Sequence, residues 1–320
     1  MVTSFPMGLS KMSVTEEAKW PQFGLERHIK YGTSFIHLNI NLGSADACTQ
    51  YFSTWIGRYR KLICGWDQHE TTAWSVRLRQ SLKSAFVSTH FALAAEEASK
   101  AGSRVTFYYL SYYAVLHAVW GVLYLHPDEK TSAIAKPTHS KLPNVFHSAF
   151  CGPKGIIRYQ IKDTMEDLRL RREYYSYRMP LNSPFDDDRD AKGYTSSVGG
   201  IVKQCIQLSN LHSHLIVEAA DREGVGPLEI QSEGRQAFTD VFRAINSQRH
   251  PTRDGWFLEP ADERALSEFL TQGVDLQGHS VMLDHMFDEY MTYMRGAEAE
   301  AKADVAKTEQ VRSLIFHAMY

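Results

Sequence analysis

The feature that most constrains this chain is a long, uncharged and aromatic-rich run in its first half. From Val105 to Leu125 the sequence carries no Asp, Glu, Lys or Arg, and the run is as long as the roughly 20 residues that a membrane-spanning helix needs. Tyr112 and Tyr113 lie near its middle, whereas tyrosines in membrane spans prefer the interface. The run therefore predicts a central helix that is surrounded by other helices.

The composition is that of a globular protein without a large excess of charge. Hydrophobic residues make up 43% of the 320 residues, which is enough for a substantial core. The formal charge of −2 excludes a polycationic chain, so any nucleic-acid surface has to be local. The four cysteines form no CxxC pair, and Met1–Lys19 lacks the layout of a signal peptide. These features predict a cytoplasmic protein without a membrane segment.

Hydrophobic periodicity predicts a mainly α fold. From about residue 72 onward, apolar side chains recur at helical spacing between breaks of Gly, Pro and polar residues. Helices that follow one another with short or medium connections favour an antiparallel bundle. We expect an α+β extension over residues 1–72, a helical bundle over residues 73–224 and a helical C-terminal region over residues 225–320.

One segment near the N-terminus predicts a strand. Ile36, Leu38, Ile40 and Leu42 alternate with polar residues in the stretch Ser34–Leu42. Such a period of two is typical of a half-buried strand with one apolar and one polar face. This strand supplies the β part of the predicted N-terminal extension.

Three stretches within the predicted bundle share a pattern with a known superfamily. The first is Arg104–Ala118, which ends in Tyr-Tyr-Ala-Val-Leu-His-Ala; the second is Thr138-His139-Ser-Lys-Leu; the third is the Arg-rich and Tyr-rich stretch Leu168–Tyr177. Together they resemble the HEPN superfamily, which comprises small helical bundles of prokaryotic toxin–antitoxin and antiphage systems and of some eukaryotic RNA enzymes. The resemblance implies a HEPN-like helical bundle, oligomerisation and action on RNA.

Active HEPN nucleases carry an Arg, then four to six intervening residues and then a His, and they cleave RNA without a metal. The histidine can accept the proton of a ribose 2′-hydroxyl, because its pKa lies near neutrality. The arginine can stabilise the charge that develops on the phosphate.

This sequence departs from that motif in the third stretch. Arg172 is followed five residues later by Tyr177, and tyrosine, with a pKa near 10, is a poor base at neutral pH. The resemblance then implies RNA binding or a scaffold role for the bundle. A literal match occurs at the C-terminus, where Arg312 and His317 form a candidate catalytic pair. The alternative is an exposed pair at a frayed helix end.

The third stretch also predicts an RNA-binding or phosphate-binding face, because Arg holds phosphates and Tyr stacks on bases. The candidate residues are Arg169, Arg171, Arg172, Tyr175, Tyr177 and Arg178. The alternative is a solvated helix face whose charge is balanced by Glu166, Asp167 and Glu173.

Neither a metal site nor a cofactor is predicted. His212 with His214, and His279 with Asp284 and His285, do not make a recognised set of metal ligands by spacing. The sequence also lacks a Gly-rich phosphate loop and a dinucleotide fingerprint.

Two hypotheses of function follow. The first is a HEPN-like RNA-binding or RNA-cleaving protein of a prokaryotic defence or toxin–antitoxin system, which as an enzyme would be a metal-independent endoribonuclease. The second is a non-catalytic helical interaction subunit of a larger complex. It is motivated by the absent motif histidine and by a Met/Tyr stripe within His279–Gly296, which suits a homo-oligomer or a protein partner.

Overall fold

The computed structural model describes most of the chain. The described residues are 24–30, 33–136, 138–152, 155–178, 188–249, 255–293 and 298–320, without the side chains of 188–192, 290, 292–293 and 298–303. Over these ranges the protein is mainly α, which confirms the predicted fold class.

The described ranges contain twelve α-helices and one very small sheet. The helices are α1 Ile36–Leu42, α2 Ala45–Ile63, α3 Gln68–Lys100, α4 Arg104–Leu123, α5 Thr131–Ala135, α6 Lys141–Phe150, α7 Ile161–Arg178, α8 Asp188–Arg222, α9 Arg235–Asn246, α10 Pro260–Gln272, α11 His279–Tyr293 and α12 Glu298–Met319. Strands β1 (Gln248–Arg249) and β2 (Trp256–Phe257) pair antiparallel. Leu25–His28 and Ser232–Gly234 are 3₁₀ turns.

The predicted strand at Ser34–Leu42 is wrong, because helix α1 occupies this segment. The polar side chains that indicated a solvent face are in fact buried. Asn39 is 0% exposed, accepts a hydrogen bond from the backbone of Leu25 at 2.9 Å and donates to Glu26. Asn41 donates to the Ile156 carbonyl at 2.8 Å. These tertiary hydrogen bonds stabilise a helix whose apolar pattern alone favours a strand.

Helices α3 and α4 form the central hairpin of the bundle and approach each other closely. At Gly121, a Cβ atom would lie 3.1 Å from the Cβ of Ser84 and 3.2 Å from the Ser81 carbonyl oxygen. Ser81 also donates its hydroxyl to the Gly121 carbonyl at 2.6 Å. Small side chains on both helices therefore set the short interhelical distance.

The first half of α3 is more enclosed than the central part of α4. Every residue from 71 to 79 is buried, including Arg77. The Arg77 guanidinium donates to the carbonyls of Tyr124, His126 and Glu129 at 2.6–2.9 Å and stacks over Trp74 at 3.7 Å. It thus satisfies carbonyls at and beyond the C-terminal end of α4, which the helix itself leaves without partners.

A buried ion-pair network joins α3 to the C-terminal helices. Arg79 is 4% exposed and binds Asp262 of α10 at 2.5 Å and Glu289 of α11 at 2.9 Å. Lys83, one turn further along α3, binds Asp262 at 2.7 Å and also Glu259. Because α3 belongs to the predicted bundle and α10 and α11 belong to the predicted C-terminal region, the network ties these two regions together.

The last helix is not a frayed end. Val311, Ile315 and Met319 of α12 are buried in the same apolar cluster as the rest of the core. The Met319 carbonyl accepts a hydrogen bond from the backbone N–H of Ser34 at 2.6 Å. None of the helices in the described ranges has the length and apolar character needed to cross a membrane.

We expect Arg79→Met to lower the free energy of unfolding by about 3–5 kcal/mol, because Asp262 and Glu289 would stay buried without their arginine. Lys100→Ala removes only an exposed pair with Glu96 and should cost less than about 1 kcal/mol. Urea denaturation of both variants provides the measurement. Equal losses in the two variants would contradict the importance of the buried network.

Several core histidines are held in the neutral form by burial. His212 is 1% exposed, its Nε2 and Nδ1 atoms lie 2.9 Å and 2.8 Å from the hydroxyls of Tyr51 and Tyr59, and burial lowers its pKa well below the usual value. Burial likewise lowers the pKa of His126 and His214 to about 4 and that of His279 to about 3.

These shifts predict acid sensitivity. Between pH 6.5 and about 4 the unfolded chain binds protons that the folded chain does not, so stability is present above this window and is lost as the pH falls through it. Urea denaturation from pH 8 to pH 4 should show this decline. His214→Gln should reduce its steepness, whereas His90→Ala, at an exposed position, should not. A free energy of unfolding that is constant over the window would refute the prediction.

Candidate functional site

Helix α4 exposes one side that is lined with aromatic rings. Tyr109, Tyr113, His117 and Trp120 follow one another along this side at helical spacing, and we refer to them as the aromatic stripe. Neighbouring ring centroids along the stripe lie 4.8, 6.4 and 5.8 Å apart. Tyr109 is 45% exposed, and the other three are partly buried.

Helix α7 packs beside α4 and places Arg172 next to the aromatic stripe. The Arg172 guanidinium carbon lies 4.7 Å from the centroid of the Tyr112 ring and 6.0 Å from that of Tyr113. Its Nη2 atom is 3.4 Å from a Glu173 carboxylate oxygen. The arginine is therefore held close to two aromatic rings and to one carboxylate, with 15% of its side chain exposed.

His139 reaches the same tyrosines from the segment before α6. Its Nδ1 atom lies 2.7 Å from the Tyr112 hydroxyl, and its ring stacks on that of Tyr112 at 5.9 Å with an interplanar angle of 6°. The residue is exposed. The fold thus gathers a histidine, an arginine and the aromatic stripe around Tyr112, although these residues come from three separate segments.

Burial controls the protonation of two groups in this cluster. Burial raises the pKa of Tyr112, although the charge of Arg172 opposes the shift, so the phenol stays protonated at neutral pH. Burial, and secondarily the charge of His139, lowers the pKa of His117 to about 4. His117 stacks on Phe91 at 5.6 Å and is therefore a neutral ring of the stripe.

The Tyr112 hydroxyl can orient His139 in the state required of a base. In a neutral His139 ring whose Nδ1–H donates to this hydroxyl, Nε2 is the nitrogen without a proton and can act as an acceptor. Arg172 contacts the same ring and can bind a phosphate beside it. The cluster therefore brings a histidine to the ring that Arg172 of α7 contacts, and histidine is the residue type that the stretch in α7 lacks.

The predicted RNA-binding residues of α7 divide between two faces of the helix. Tyr175 is 5% exposed and stacks on Tyr108 at 5.3 Å, so it cannot stack on a base. Arg171 packs on the rings of Tyr108 and Tyr194 and binds Asp167 at 3.1 Å. Both side chains therefore lie on the side of α7 that faces α4, and Arg171 also contacts Tyr194 of α8.

Three of the remaining predicted residues, Arg169, Tyr177 and Arg178, are partly or fully exposed, whereas Arg172 packs against Tyr112 of α4 with 15% of its side chain exposed. Arg169 binds Glu166 and Glu173 at 2.6 and 2.8 Å, which matches the alternative of a balanced helix face. Tyr177 is 75% exposed and Arg178 is exposed. Burial raises the pKa of Tyr109 and the charge of Arg172 opposes this shift, so Arg172 lies near this residue of the aromatic stripe.

Arg312 and His317 do not form a joint site. Five residues along an α-helix rotate the two side chains by about 140° relative to each other. Arg312 binds Asp284 at 2.5 Å, whereas the Nδ1 atom of His317 donates to the Ser313 carbonyl at 2.6 Å. The literal sequence motif is present, but its geometry gives no support to joint catalysis.

Reasoning from the sequence missed His139, Tyr112 and Tyr109 as site residues. A weak signal was present, since Thr138-His139 is the second stretch that resembles the HEPN superfamily. The separation of His139 from Arg172 along the chain hides their shared contact with Tyr112, because a motif search considers only short spacings.

Comparison of the chain with protein-family models, with curated proteins and with solved structures gives no match. Membership of the HEPN superfamily stays a prediction that rests on the three sequence stretches.

Two tyrosines of α7 offer a matched test of this geometry. Tyr175→Ala removes a buried, stacked ring and should lower the free energy of unfolding by about 3–5 kcal/mol. Tyr177→Ala, two residues later, removes an exposed ring and should change it by less than about 0.5 kcal/mol. Denaturant unfolding measures both. A large loss in Tyr177→Ala would show that the outer side of α7 is buried in solution.

Proposed function

We propose that this protein binds single-stranded RNA along the aromatic stripe and cleaves it without a metal at Arg172 and His139. The observation that carries the proposal is the convergence of Arg172 and His139 on one tyrosine beside a partly exposed row of rings. Three stretches that resemble the HEPN superfamily agree with it, and they suggest a role in a prokaryotic defence or toxin–antitoxin system.

The aromatic stripe is suited to unpaired bases. Bases stack on aromatic side chains with little dependence on sequence, and each stacked base contributes about 1–3 kcal/mol. Tyr109 and Tyr177 are the most exposed rings beside Arg172. With a net charge of −2, the protein depends on stacking more than on a broad basic surface.

Cleavage follows from the positions of two groups. The Nε2 atom of His139 takes the proton of a ribose 2′-hydroxyl, and the 2′-oxygen attacks the adjacent phosphorus. The bond from phosphorus to the 5′-oxygen breaks, and that oxygen takes a proton from water. Arg172 stabilises the negative charge on the phosphate during this step. The products are a 2′,3′-cyclic phosphate and a 5′-hydroxyl end.

The test uses labelled tRNA and a single-stranded RNA oligonucleotide with the full chain in the presence of EDTA. Tyr109→Ala and Arg172→Ala should weaken binding, the former by about 1–3 kcal/mol. His139→Ala should retain binding and lower the cleavage rate by about 10²–10⁴-fold. An oligonucleotide with 2′-deoxyribose at the cleaved position should bind and stay intact.

Arg222→Ala is the matched control, because Arg222 is a helical surface arginine that is paired with Glu218 on α8. It should leave binding and cleavage unchanged. Absence of RNA binding at low salt would reject the proposal, and binding without cleavage would reject its catalytic part.

The second candidate is a non-catalytic interaction subunit, which the exposed apolar side chains favour. Leu170 is 51% exposed and Tyr177 is 75% exposed on α7, and Val105 is 47% exposed on α4. Such side chains suit a second copy of this chain or another helical protein. Sedimentation compares the mass of the wild type with that of a Leu170→Glu/Tyr177→Glu variant. A lower mass for the variant would show that this side of α7 holds an oligomer together.

A further inference from the structure

We propose that Glu268, His285 and Glu289 form a binding site for a divalent first-row transition metal, far along the chain from the RNA-binding candidates. Their ligand atoms lie within 4.8 Å of one another. His285 and Glu289 are four residues apart on α11 and so share a helix face. Glu268 approaches from α10.

The two carboxylates are oriented by arginines. One oxygen of Glu289 accepts a hydrogen bond from Arg79 at 2.9 Å, and its other oxygen lies 3.5 Å from Nε2 of His285. One oxygen of Glu268 accepts from Arg264 at 2.7 Å, and its other oxygen lies 3.8 Å from the same Nε2 atom. Outer hydrogen bonds of this kind fix metal ligands in position.

The two distances from His285 are compatible with a shared metal, which would draw the third pair of ligand atoms together. At 3.5 and 3.8 Å, the two contacts of His285 are longer than ordinary N–H···O bonds. Two ligand atoms that bind one tetrahedral zinc ion at 2.0–2.1 Å lie about 3.4 Å apart. One imidazole nitrogen with two carboxylate oxygens suits Zn²⁺, Mn²⁺ or Fe²⁺ rather than Ca²⁺ or Mg²⁺, which prefer oxygen alone.

The site opens into a cavity of about 260 Å³ between α3, α10 and α11. Arg79 lines this cavity, and in the described part of the chain its buried Nε atom has no hydrogen-bond partner. Three protein ligands leave a metal with a position for water or an anion. The cavity therefore provides room for that additional ligand beside a buried N–H donor.

Isothermal titration of the metal-free full chain with Zn²⁺, in competition with a chelator, tests the site. The wild type should bind one Zn²⁺ that His285→Ala and Glu268→Gln weaken by more than about 100-fold. Arg264→Ala, which removes an outer partner, should weaken it by about 10–100-fold. His90→Ala removes an exposed histidine of α3 and should bind like the wild type.

X-ray absorption of the zinc-loaded protein identifies the ligands independently. We expect nitrogen and oxygen at 2.0–2.1 Å and no sulfur. A sulfur ligand would place the ion on a thiol such as the exposed Cys64 and overturn the proposal. The same conclusion would follow if the wild type bound no Zn²⁺, or if His285→Ala bound it with unchanged affinity.

Discussion

The remainder of the structure depends on the ion pairs that the buried Arg79 makes with Asp262 and Glu289. An arginine in the interior of a protein is stable only when its charge is paired. Asp262 and Glu289 provide this match from two different helices. The position of α10 and α11 against α3 is therefore specified by charge as well as by apolar contact, and the cavity beside Glu289 is a result of that arrangement.

The sequence allowed most of the helices to be predicted, because their apolar side chains recur at helical spacing. The prediction failed at Ser34–Leu42, where the apolar residues recur at the period of a strand but tertiary contacts stabilise a helix. The alternation predicts that Asn39 and Asn41 face solvent on a strand. Both side chains are instead buried, and each makes hydrogen bonds with residues that are distant along the chain. Arg77 and Arg79 gave no sign that they lie inside, since charged residues on a helix usually face solvent.

The candidate RNA site was predictable in part. The residue types of Arg172, Tyr177 and Arg178 indicate RNA binding, but only Tyr177 and Arg178 are exposed, whereas Arg172 packs against Tyr112 of α4. Composition could not separate them from Tyr175, whose ring is buried against Tyr108. His139 could not be assigned either, because only the folded chain brings it to the hydroxyl of Tyr112.

The partners of Arg79 also determine when the protein can fold. Asp262 and Glu289 follow Arg79 by 183 and 210 residues, so they leave the ribosome long after α3 and α4 have been made. Until then, burial of the first half of α3 would enclose an unmatched charge. The central hairpin therefore completes its packing late in synthesis, and its apolar surface stays exposed to chaperones and to aggregation during most of translation.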